Sequence, residues 1–124
     1  MDKILKKKIE IKKINKFENL YKITQDKKFL STLREIYVSE IKPYSKKKWK
    51  LSNYITQNIF ILNSKIKIIY NDQFTKKNKS VTLSNKNSYL ITIPKKIRYN
   101  FVNMDSKKGY IINLLNKRFL EKDK

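Results

Sequence analysis

Residues 41–69 read IKPYSKKKWKLSNYITQNIFILNSKIKII, and the interpretation of this stretch decides how the rest of the chain is folded around it. Its first half is cationic and aromatic: Lys42, Lys46, Lys47, Lys48 and Lys50 lie within nine residues, with Tyr44 and Trp49 between them. Its second half alternates. Ile59 and Ile61 fall on one face and Phe60 and Leu62 on the other; after Asn63-Ser64, Ile66 and Ile68 alternate with Lys65 and Lys67. Asn tolerates positive φ, so Asn63-Ser64 reads as the two-residue turn of a β-hairpin. A basic segment attached to a rigid hairpin suits a polyanion held in one geometry.

Upstream, Phe29, Leu33, Ile36, Tyr37 and Glu40 recur at spacings of three and four behind a candidate N-cap, Asp26. This predicts a short amphipathic helix with its aliphatic face in the core, stopped by Pro43. Downstream, Lys76, Lys77, Asn78 and Lys79 read as a basic loop, Val81 to Ser84 as an extended run, and Tyr89 to Ile93 as a further strand ending at Pro94. Asp105 or Ser106 caps a predicted last helix in which Ile111, Leu114, Leu115 and Phe119 share a face. Asp2 to Phe17 mixes lysine clusters with Ile and Leu without a fixed period and reads as a basic arm. The expected fold is α+β: a small domain with a short N-terminal helix and a three-stranded sheet containing the hairpin, plus terminal extensions. Its expected divisions are a basic extension over 1–17, a core over 18–87 and a strand-plus-helix extension over 88–124.

Composition narrows the function. A net charge of +21 on 124 residues repels itself and is offset best by a densely anionic partner, nucleic acid first and an anionic membrane second. Cys and His are both absent, which removes disulfides, zinc fingers, thiol catalysis and imidazole acid/base chemistry. The ten carboxylates are scattered among lysines and no Gly-rich phosphate loop occurs, so neither catalysis nor a cofactor or metal is expected. No apolar run reaches the length of a membrane-spanning helix. The chain has one Gly, no Ala, and 28 Lys against 3 Arg, a bias that follows A/T-rich codons. The first seventeen residues hold neither Arg nor Ser and include Asp2 and Glu10, a poor match to a transit peptide. Synthesis inside an A/T-rich organelle is the resulting expectation, a mitochondrion or, alternatively, a plastid-type organelle.

Lysines contact phosphates as point charges, and bidentate reading of guanine is mostly the work of arginine. The expected partner is therefore folded RNA recognised by backbone and shape. Trp49 and Tyr44 stay open between core packing and stacking on exposed bases.

The order of segments resembles the small-subunit ribosomal protein nineteen family of bacteria and organelles. Asn19-Leu20-Tyr21-Lys22 is similar to the start of that family's Ser-Leu-Trp/Lys-Lys-Gly-Pro-Phe element, and Phe29 to Ile36 to its short helix. Ile41 to Thr56 resembles its Ile-Lys-Thr-Trp-Ser-Arg-Arg segment, and Asn58 to Lys65 its hairpin, with Asn63-Ser64 at the Asn-Gly turn. Asn71 to Phe74 and Asn78 to Leu83 are similar to its following loop, without the loop's glycines and histidine. The resemblance implies a structural constituent of the small ribosomal subunit, binding the 3′ major domain rRNA in the head near the decoding region beside the protein thirteen family. It carries over rRNA contacts to Lys22, Lys42, Ser45, Lys46, Lys47, Lys65, Asn78 and Lys79. Charge and position add Lys48, Trp49, Lys50, Lys67, Lys76 and Lys77. The C-terminal apolar face would then dock on a neighbouring ribosomal protein. The alternatives are another organellar ribosomal or RNA-processing protein, a nonspecific DNA-binding nucleoid protein and a peripheral membrane protein.

Overall fold

The computed structural model describes residues 4–72, 74–84 and 89–117. Strands β1 (Leu5–Lys8), β2 (Glu10–Asn15) and β3 (Glu18–Lys22) precede one helix, α1 (Lys27–Thr32). There follow β4 (Glu35–Ile41), β5 (Gln57–Leu62), β6 (Lys65–Asn71), β7 (Asn78–Ser84), β8 (Tyr89–Ile93), β9 (Tyr99–Asn103) and β10 (Gly109–Leu115). A five-stranded sheet, ordered β1-β8-β5-β10-β4, faces a three-stranded sheet, ordered β7-β6-β9, and β2 and β3 form a separate hairpin. Every pairing is antiparallel.

Alternation along the strands places the core. Ile59, Ile61, Ile91, Ile93 and Ile111 of the large sheet point at Ile66, Ile68, Leu83, Tyr99 and Phe101 of the small one. Nine of the twelve buried members of this cluster are isoleucines, β-branched side chains that pack well on pleated surfaces. Each contributes roughly 1.5–3 kcal/mol by leaving water. A second cluster of Ile9, Phe60, Leu90 and Leu114 lies on the outer face of the large sheet, with Ile23, Phe29 and Leu33 packed against it. Thus α1 and the chain around it cover one sheet and do not form a layer of their own.

The expected α+β domain is replaced by an all-β sandwich. The expected hairpin is the decisive correction. Asn63 does take positive φ (49°), but β5 pairs with β8 and β10 while β6 pairs with β7 and β9. The turn carries the chain from one sheet to the other. The reason is that Ile59 and Ile61 and then Ile66 and Ile68 all bury toward one interior, which two strands of opposite sheets satisfy together. Ser64 is itself buried and donates to Asn103 Oδ1 at 2.6 Å, anchoring the corner.

The helix predicted around Phe29 is only six residues long. Asp26 caps it as expected, accepting from Lys28 N (2.9 Å) and Phe29 N (3.3 Å). It ends at Leu33, and Arg34 N then donates to Leu115 O at 2.9 Å, where the chain enters the sheet as β4. Residues 35–41 are also alternating: Glu35, Tyr37, Ser39 and Ile41 face inward, and Ile36, Val38 and Glu40 outward. A short isolated helix is marginal, whereas β4 gains seven residues of pairing with β10. The predicted last helix is likewise a strand. Ile111 and Leu115 point into the sandwich and Leu114 to its outer cluster, so this face is internal core. Phe119 lies outside the described residues. The basic arm is β1, which pairs with β8, and β2 of the hairpin. Tyr89 to Ile93 is a strand, as expected, and the run at Val81 to Ser84 belongs to β7.

Candidate functional site

Strands of both sheets meet at one end of the sandwich, where β4, β5 and β9 begin and β8 and β10 end. Tyr37, Gln57, Tyr99 and Leu115 project inward there, and the crossover segment Lys50-Leu51-Ser52 and the Pro94 to Ile97 turn close over them. The result is a pocket of about 440 Å³, counted with its open mouth. Ile55, Ile93 and Ile97 line its walls.

Backbone pairing holds the rim. Lys50 N donates to Tyr99 O (2.8 Å) and Tyr99 N to Lys50 O (3.0 Å), so the crossover segment extends the small sheet beyond β9. Lys96 N donates to Ser52 O at 2.6 Å, joining the two rim segments. Lys96 sits at φ 70°, which turns the chain sharply after Pro94. Ser52 Oγ accepts from Tyr54 N (3.2 Å) and Ile55 N (3.0 Å), fixing the return of the chain into β5.

The floor is polar. Tyr99 donates its hydroxyl to Gln57 Oε1 at 2.5 Å; Gln57 Nε2 donates to Asn113 Oδ1; Asn113 Nδ2 donates to Ser39 Oγ at 3.1 Å and to Ile111 O at 2.9 Å. Burial raises the pKa of the Tyr99 phenol, with Tyr37 adding to the effect, and burial followed by the Glu35 carboxylate raises that of Tyr37. Both phenols are therefore O–H donors at neutral pH. Among the described residues no three His, Cys, Asp or Glu side chains gather, so the donor set does not fit a metal ion.

The residues expected to bind rRNA are distributed differently from one continuous patch. Lys22 belongs to the β2–β3 hairpin and lies 3.9 Å from Glu10. Lys42 and Ser45 shape the bend after β4: Ser45 Oγ donates to Lys42 O at 2.7 Å, and Ser45 O accepts from Asn103 N at 2.8 Å. Lys46 bridges to Val102, Lys48 is exposed, and Lys47 is half-buried, its amine lowered in pKa by burial and by the neighbouring Lys50 cation. Lys50 turns into the pocket, whereas Trp49 turns outward against the Arg98 guanidinium, 5.4 Å from its ring centre. Lys65 and Lys67 alternate with the inward isoleucines of β6 and so lie on the outer face of the small sheet. Lys76 and Lys77 occupy the turn before β7, Asn78 opens that strand, and Lys79 is paired with Asp72 at 2.9 Å. Sequence reading missed Tyr37, Ser52, Gln57, Tyr99 and Asn113. Only the alternation of residues 35–41 could have flagged Tyr37; the others are polar groups whose partners come from distant segments.

No protein-family model and no curated protein sequence matches this chain. Solved structures do match it over nearly its whole length. A dTDP sugar isomerase from Desulfovibrio desulfuricans G20 superposes with a TM-score of 0.84 at 20% identity, covering 97% of this chain and 80% of that one. The 3,4-ketoisomerase QdtA from Thermoanaerobacterium thermosaccharolyticum, in complex with TDP-4-keto-6-deoxyglucose, gives 0.78 at 14% identity, covering 97% and 84%. A dTDP-4-dehydrorhamnose 3,5-epimerase from Bacillus anthracis, with TDP and pyrophosphate bound, gives 0.79 at 13%, covering 97% and 75%. These matches overturn the resemblance to ribosomal protein nineteen, and with it the rRNA and protein thirteen partners, the ribosomal, RNA-processing and nucleoid roles, and the expectations of no enzyme and no small-molecule substrate. That resemblance rests on lysine and isoleucine spacing, which this composition supplies almost anywhere. The chain has the RmlC-like jelly-roll fold, with β1 to β10 forming its two sheets and the appended hairpin.

Proposed function

We propose that this chain is a nucleotide-sugar isomerase or epimerase, acting on a keto sugar carried by a deoxythymidine diphosphate. The observation that supports this most is the position of the polar-floored pocket, at one open end of a sandwich shared over 97% of the chain with proteins described as dTDP-sugar isomerases and epimerases. The accessible space of about 30 Å³ is too small for a hexose, so the sugar would lie across the mouth between Ser52 and Ile97. The exposed cationic side chain of Lys95, on the Pro94 to Ile97 turn of this rim, suits the diphosphate.

Isomerising a keto sugar requires removal of the proton on the carbon beside the carbonyl and delivery of a proton to the oxygen that receives the electron pair. Two of the matching structures are variants with a histidine exchanged for asparagine, and this chain has no histidine. In this reading the proton carriers are Lys50 and Tyr37. The protonated Tyr37 phenol donates to the carbonyl oxygen as it gains charge, Tyr99 having its one O–H on Gln57, and the Lys50 amine, in its neutral form, takes the carbon-bound proton.

Incubation of dTDP-4-keto-6-deoxyglucose with the protein in D₂O tests the reading. Proton NMR should show loss of the signal beside the ketone, slowed roughly 10²-fold in Lys50→Ala and in Tyr37→Phe. Absence of exchange together with absence of dTDP binding by calorimetry would sink it.

A further inference from the structure

The polar floor of the pocket is a chain of amides whose orientation starts at the backbone. Asn113 of β10 is 1% exposed, and its Nδ2 group donates to Ile111 O at 2.9 Å and lies 3.3 Å from Tyr37 O. Carbonyl oxygens only accept, so the nitrogen of Asn113 must face them and its Oδ1 must face Gln57. An oxygen at that point admits only the Nε2 group of Gln57, which leaves Gln57 Oε1 at Tyr99. Oε1 also only accepts. The one phenolic proton of Tyr99 is therefore committed to this bond, 2.5 Å long.

We infer that Asn113 and Gln57 are positioning residues that fix the polarity of the floor, Asn113 acting through Gln57, so that Tyr99 offers a bound sugar an acceptor and no donor. The sugar group that meets Tyr99 must then itself donate: a hydroxyl, and not a carbonyl or ether oxygen. The inference rests on the nucleotide-sugar proposal and adds what the pocket selects beside the ketone.

Burial makes this polarity hard to change. Tyr99, Gln57 and Asn113 are all buried, so a turned amide would set two acceptors or two donors against each other with no water to separate them. Burial also keeps the Tyr99 phenol protonated, so its oxygen does not become a phenolate at neutral pH. The same amide serves the second phenol of the pocket. Asn113 is the register partner of Tyr37, and its Nδ2 group faces the Tyr37 carbonyl and Ser39 Oγ on β4. Tyr37 and Tyr99 both line the pocket, one assigned as donor to the ketone and the other fixed as acceptor. A donor beside an acceptor matches an α-hydroxy ketone, with its carbonyl oxygen on Tyr37 and its neighbouring hydroxyl on Tyr99. A site built to hold a hydroxyl discriminates strongly against an analogue that lacks it.

Calorimetry with two ligands tests the polarity: dTDP-4-keto-6-deoxyglucose and its 3-deoxy-3-fluoro analogue, in which fluorine replaces the hydroxyl beside the ketone and cannot donate. The original chain should bind the hydroxyl compound about tenfold more tightly or better. Gln57→Met frees the Tyr99 proton to turn into the pocket, and the ratio should fall to about threefold or less. Asn113→Leu should do the same, because Gln57 can then turn its amide over. Gln57→Glu, kept protonated by burial, preserves both bonds of the amide and should keep the ratio. A ratio of affinities measured on one protein does not change when part of the sample is unfolded. Tyr99→Phe, which lacks the acceptor, should bring the ratio to about one even if Asn113→Leu does not fold. A ratio near one for the original chain, or a ratio unchanged in Gln57→Met, would overturn the inference while binding of the dTDP sugars leaves the nucleotide-sugar proposal standing. Binding of neither ligand would remove both.

Discussion

Tyr99 of the small sheet donates its hydroxyl to Gln57 Oε1 of the large sheet at 2.5 Å, a polar tie across the interior. Tyr99 also packs its ring on Phe101, with centroids 5.3 Å apart, so the phenol is held rigidly over the pocket floor. Tyr99→Phe keeps the ring and leaves a buried carbonyl of Gln57 without its donor. Urea unfolding should show a loss of about 1–3 kcal/mol. An unchanged midpoint would mean that Gln57 finds another donor at no cost.

The single glycine, Gly109, opens β10 against the corner at Ser64. A Cβ there would stand 2.8 Å from Ile66 Cδ1 and 3.1 Å from Ser64 Cβ, both on buried residues. Gly109→Ala should therefore destabilise by about 1–3 kcal/mol by overpacking, despite the better strand propensity of alanine. Thermal melting of the two chains side by side decides this.

Asn103 holds three carbonyls and two donors together. Its Nδ2 donates to Ile41 O (3.1 Å), Lys42 O (3.2 Å) and Lys107 O (2.8 Å), and its Oδ1 accepts from Ser64 Oγ and from Asp105 N (3.0 Å). Removing this side chain in Asn103→Ala should cost about 2–4 kcal/mol. Asn103→Asp should be worse at neutral pH, since a carboxylate would face three carbonyl oxygens in a buried site. Equal stabilities of the two variants would contradict the assigned orientation of the amide.

Asp72 closes the turn between β6 and β7. Its carboxylate is held below the usual range first by the hydrogen bond from Lys79, then by the backbone N–H groups of Thr75 and Phe74. A lowered folded-state pKa adds stability that is fully present above the unfolded value, near 4, and is lost as pH falls through the folded value. Acid titration at a fixed urea concentration should show a steeper loss below about pH 4 for the original chain than for Asp72→Asn. Parallel curves would show that this turn opens independently of the sandwich.

The local chain determined its own periods. Alternation marked β5, β6 and β8 because side-chain direction in extended backbone depends only on adjacent residues, and Asp26 and Asn63 announced a cap and a positive-φ turn through their own side chains. Which strand pairs with which was not local. Asn63-Ser64 has the same residues in a hairpin as in a corner, and only the common interior shared by Ile59, Ile61, Ile66 and Ile68 separates the two. Residues 33–40 and 109–115 carry apolar spacings compatible with both periods, and the pairing of β4 with β10 chose the strand. Charge misled for a compositional reason: where A/T-rich codons make lysine the default polar residue, +21 reflects the code as much as any partner. The pocket was decided by tertiary structure alone, since Tyr37, Gln57, Tyr99 and Asn113 come from four strands whose side chains meet only after both sheets close.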